Sequence, residues 1–108
     1  MSELDRLYLD LLHRGLVFIR AAASRGDLDR CHAEAEYLHE IPTLIGEAHH
    51  PSRVYHATGA RKLYLDWIKQ NDRDDVRECV RTCYAPAWRR MDALLGLQSS
   101  PLDQLNQA

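Results

Sequence analysis

From Leu4 to Ala22 the chain carries apolar residues at a helical period, and they spread much further round the helix than one packing face needs. At 100° per residue, Leu4, Leu7, Tyr8, Leu11, Leu12, Leu16, Phe18, Ile19 and Ala22 cover an arc of roughly 200°, about twice the stripe of an ordinary surface helix. Arg6, Asp10, His13, Arg14 and Arg20 share the remaining strip with Val17. A helix of this kind is either packed by neighbours on two sides or part of a subunit interface. Ser2 stands where an N-cap belongs and Asp5 follows three residues later, an acidic variant of the capping box. Gly26 can take the left-handed conformation that closes the helix.

The same period governs the rest of the chain, and no segment alternates as a strand. Asp27 caps a second helix reaching about Glu40, with Leu28, Cys31, Ala35 and Leu38 as its core stripe. Pro42 opposes continuation and biases Ile41 away from helical geometry. Thr43 to Ala48 form a short fifth helix. A third long region runs from about Arg53, capped by Ser52, to Gln70. Its apolar positions are Val54, Tyr55, Leu63, Tyr64, Trp67 and Ile68, and Thr58 restarts the helix beside Gly59. Asn71 or Asp72 caps the last region, whose buried face reads Val76, Cys79, Val80, Cys83, Ala87, Met91, Leu94 and Leu95. Pro86 removes the hydrogen bond to Thr82 and is expected to kink or split it. Gly96 closes it. The fold class that follows is all-α: an antiparallel bundle of four main helices, forming one domain over 1–96, with 97–108 as a polar, frayed tail.

Charge and composition narrow the functional classes. A formal net charge of −2 lacks the basic excess of a nucleic-acid-binding domain. Leu16 to Ala23 is too short, and too closely flanked by Arg14, Arg20 and Arg25, to span a membrane. Three cysteines, Cys31, Cys79 and Cys83, with no secretory leader, point to a cytoplasmic protein with reduced thiols. Cys79 and Cys83, one turn apart, read as small packing residues rather than ligands. Tyr84, Trp88, Arg89 and Arg90 interleave aromatics with positive charge, but nearby acidic residues make a solvated face with ion pairs the better account.

The chemistry-bearing stretch is the histidine-rich middle. His32, Glu36 and His39 follow at i, i+4 and i+7, on a strip that borders the expected apolar stripe of the second helix. Glu47 and His50 form a second Glu-x-x-His pair, with His49 beside it. Imidazoles and carboxylates so placed can ligate zinc, iron or manganese. Di-metal carboxylate bundles, however, carry such pairs on separate long helices together with further glutamates. Here the pairs are close in sequence with Pro42 between them, so the expectation is His32, Glu36 and His39 near one another, Glu36 bonded to a neighbouring side chain, and no fourth ligand. Tyr37, Tyr55, Tyr64 and Trp67 are candidates to line a small-molecule site. No phosphate loop, nucleophile elbow or dinucleotide fingerprint occurs. The reading is a non-catalytic protein-interaction module without cofactor, whose partner is a second copy in a homodimer and neither nucleic acid nor membrane. A metal-binding protein using His32, Glu36, His39, Glu47 and His50 is the alternative.

Overall fold

Capping and helical periodicity are realised through most of the molecule. The computed structural model describes residues 1–46 and 50–97, with His50 described by its backbone alone. Roughly 85% of the described residues are helical and none lies in a strand, so the all-α expectation holds. No helix of the described residues is long and apolar enough to cross a membrane. The chain packs as two compact units, Met1–His49 and His50–Ala108.

In the first unit, α1 (Glu3–Ser24), α2 (Leu28–Leu38) and the short α3 (Ile41–Leu44) follow one another. The Ser2 hydroxyl accepts from the Asp5 N–H at 3.1 Å, satisfying one of the donors a helix start leaves open. Asp27 does the same for α2, accepting from the Arg30 N–H at 3.2 Å. The Asp5 carboxylate then reaches across the unit and accepts the Gly46 N–H at 2.9 Å, tying the start of α1 to the end of α3. Gly46 has φ +74°, a conformation costly for any side chain. The short helix lies earlier than expected. Pro42 sits in its first turn, where its missing N–H costs nothing. Gly15 is the point of closest approach between α1 and α2: a Cβ there would overlap the δ-methyls of Leu38.

The buried face of α2 is not the expected one. Arg30, Ala33, Glu34, Tyr37 and Leu38 point inward, whereas Leu28 is 73% exposed and Ala35 is exposed. The helix is turned by roughly a third of a revolution from the apolar stripe read in the sequence. Arg30 Nε donates to Glu34 Oε1 at 3.2 Å, and the guanidinium lies 5.0 Å from the Phe18 ring centre, so the buried charges are matched.

The second unit is built of two long helical runs. The first is α4 (His50–Tyr55), a π turn (His56–Ala60) and α5 (Arg61–Gln70). It begins before Ser52, with Pro51 in the first turn, so Ser52 is not its cap. Thr58 does not restart the helix either, because its hydroxyl donates back to the Val54 carbonyl at 2.8 Å. After Asn71–Arg73 the chain doubles back into α6 (Asp74–Cys79), a second π turn (Val80–Tyr84) and α7 (Ala85–Leu95). The residue before α6 is Arg73, which makes no side-chain cap; Asp72 instead takes φ 51° in the turn.

Pro86 does not split this second run. The π turn immediately before it closes on the Ala85 N–H, which donates to the Val80 carbonyl, and the proline enters α7 in its first turn. The extra residue in the turn changes which residues beyond it face inward. The expected face beyond the turn carried Cys83, Ala87, Met91, Leu94 and Leu95. Ala87, Met91 and Leu95 are buried as expected and Tyr84, Trp88 and Asp92 join them, while Cys83 is half-buried and Leu94 exposed. Gly96, at φ 72°, closes the run as expected. The expected frayed tail lies, from residue 98 onward, outside the described residues.

Candidate functional site

In the second unit His56, Arg61 and Asp92 are buried polar residues. Arg61 begins α5 directly after the first π turn, and its backbone N–H donates to the His56 carbonyl. That wide turn stacks His56 and Arg61 on the same inner side, and both are buried. From the opposite run, Asp92 accepts from Arg61 Nη1 at 2.9 Å, and Trp88 lies under the guanidinium at 4.8 Å. Arg61 Nε and Asp92 Oδ1 are buried without a hydrogen-bond partner among the described residues. Next to the pair, Trp88 meets Tyr84 at 5.6 Å between ring centres, and Tyr84 meets Tyr64 at 6.2 Å. Tyr64 stacks on Trp67 at 6.2 Å. Arg73 covers the other side of the Trp67 row at 5.4 Å.

Chemically this arrangement fixes charge in place. A guanidinium does not give up its proton in a protein, and the carboxylate beside it is held as its counter-ion. The charge–aromatic contact and the single strong hydrogen bond favour one register of the two runs over neighbouring ones. The first unit repeats the device with Arg30, Glu34 and Phe18.

The histidine-rich strip lies elsewhere. His32 and Glu36 are brought together, Nε2 to Oε1 at 3.6 Å, but their side chains are 78% and 68% exposed. His39 is exposed as well, its Nδ1 lying 3.3 Å from the Glu36 carbonyl oxygen. The expectation that this strip borders the core fails because α2 is rotated: the face carrying Arg30 and Glu34 is inside, which puts His32, Glu36 and His39 on the opposite side. Glu47 and His49 lie outside the described residues, as does the side chain of His50. Among the described residues no three His, Cys, Asp or Glu side chains form a group that could hold a metal ion.

Of the aromatic candidates, Tyr64 and Trp67 are the two found stacked on each other. Tyr37 is buried in the first unit, and Tyr55 in the second is exposed. Tyr84 and Trp88 are fully buried while Arg89 and Arg90 are exposed, so aromatics and cations do not share a surface. The sequence reading missed Arg30, Glu34, His56, Arg61 and Asp92. The Arg30–Glu34 pair had a local signal, opposite charges at i, i+4 between Ala33 and Tyr37. The Arg61–Asp92 pair had none, because 31 residues separate its members. Compared with known protein families, with curated proteins and with solved structures, the chain matches none of them.

Proposed function

We propose that this protein is a non-catalytic interaction module that works as a homodimer, with α1 as the interface. The observation that carries the reading is the outer side of α1, where Leu9, Leu16 and Val17 are 40%, 54% and 52% exposed. Leu12 and Ile19, on the same side, are only partly covered. Leu9, Leu12, Leu16 and Ile19 follow at intervals of three, four and three, the spacing with which two helices interlock side chains. Soluble monomers rarely leave such a strip uncovered. Arg30 with Glu34, and Arg61 with Asp92, hold buried charge in matched pairs, which suits a scaffold better than a reaction centre. A near-neutral chain with three unbridged thiols fits a reducing, cytoplasmic setting, away from nucleic acid and membrane. Sedimentation velocity over a concentration series tests the proposal: a two-chain species that dissociates on dilution supports it, and a single-chain species throughout refutes it.

A further inference from the structure

We infer that Cys79 and Cys83 form a redox-active dithiol that closes to a reversible disulfide across the second π turn. Both cysteines are partly exposed, unlike packing thiols, and no disulfide uses them. They are four residues apart on one run: Cys79 is the last residue of α6 and Cys83 lies in the π turn. In a regular α-helix, four rises put such Cα atoms about 6 Å apart, inside the 4.4–6.8 Å range that disulfides span. The Cβ atoms, at about 5–6 Å, are too far apart for the ~3.8 Å that a relaxed bridge wants. A π turn holds more residues per turn, so each rises less along the axis, and residues four apart come closer to lying one above the other. The wide turn that turns Tyr84 inward is thus the turn that joins the two cysteines. A bridge still somewhat stretched is easily reduced, which is the property of a switch and not of a structural staple.

The surroundings suit exchange. The Thr82 hydroxyl lies 3.7 Å from Cys83 Sγ and donates to the Glu78 and Cys79 carbonyls at 3.0 and 3.2 Å, anchoring the turn between the thiols. Cys31, by contrast, sits in the first unit with its thiol directed at the Ile19 carbonyl at 3.5 Å. The co-reactant is an oxidised low-molecular-weight disulfide. The thiolate of one cysteine attacks it, forming a mixed disulfide and releasing one small thiol. The second cysteine's thiolate then attacks the protein sulfur of that bond and releases the other. Two protein thiols are oxidised to one disulfide, and one small disulfide is reduced to two thiols. Because Tyr84 follows Cys83 and touches Trp88, closure pulls directly on the aromatic row.

The test is intact-mass analysis of the full chain carrying Cys31→Ser, incubated with oxidised glutathione. The expected product has lost two hydrogen masses, carries no glutathione, and returns to the starting mass with dithiothreitol. Adding Cys83→Ser should replace that product by a glutathione adduct. The proposal is overturned if the Cys31→Ser protein keeps both thiols, accumulates stable glutathione adducts, or forms only bridges between chains.

Discussion

Arg61 donates to Asp92 from the first turn of α5 to the last turns of α7, at 2.9 Å, in a position where neither side chain reaches solvent. Burying two charges costs several kcal/mol each before pairing offsets it, so the pair is best understood as fixing register, not as a source of net stability. Removing one member strands the other. Asp92→Ala should therefore cost about 3–5 kcal/mol of unfolding free energy. Arg61→Met combined with Asp92→Leu should recover most of that loss. Urea denaturation of Arg61→Met, of Asp92→Leu and of the two combined gives the coupling directly, and additive effects would refute the pairing.

Gly15 faces Leu38 closely enough that a methyl group has no room. Alanine is worth about 1 kcal/mol more than glycine in a helix interior, while overpacking a well-filled contact costs about 1–3 kcal/mol. Leu38 is itself buried and cannot swing away, so Gly15→Ala should destabilise the protein. Adding Leu38→Ala should reverse the sign of the Gly15 substitution. Thermal melts of all four forms decide it.

His32, Glu36 and His39 lie on the exposed side of α2. Substitutions at such positions away from special features change stability by about 0.5 kcal/mol or less. His32→Ala and His39→Ala should stay within that range, with or without added zinc. A zinc-dependent rise in melting temperature that either substitution removes would restore the metal-binding alternative.

Much of the fold was legible because its punctuation is local. Ser2, Asp27, Gly26 and Gly96 mark helix ends by their own backbone and side-chain chemistry, and all lie where the sequence placed them. The faces of the helices were harder to read. A periodic stripe assumes that charges point outward, and Arg30 with Glu34, or Arg61 with Asp92, break that assumption by satisfying each other inside. The π turn at Val80–Tyr84 broke the second assumption, a constant 3.6-residue period. Beyond it Tyr84, Trp88 and Asp92 turn inward where no burial was expected, Cys83 is only half-buried and Leu94 is exposed, while Ala87, Met91 and Leu95 keep the buried places read for them. Pro86 was expected to kink or split the run; the run is not split, and the proline stands in the first turn of α7 directly after the π turn.

That placement makes Pro86 itself testable. Its ring is exposed, while the register of the π turn is held by the buried Val80, Tyr84, Trp88 and Met91. Pro86→Ala should change stability by no more than about 1 kcal/mol, the usual entropic size of such a change. Tryptophan fluorescence should be unaltered. A large spectral shift would show that the proline, rather than the core, sets the register.

The self-association of α1 is tested most directly by size-exclusion chromatography with light scattering on the wild-type chain and on Leu16→Glu. Leu16 is more than half exposed, so the charge is expected to leave the fold intact, as far-ultraviolet circular dichroism will report. The expected result is a two-chain mass for the wild type and a one-chain mass for Leu16→Glu at the same concentration. A one-chain mass for the wild type, or a two-chain mass for both, would contradict an interface on this helix.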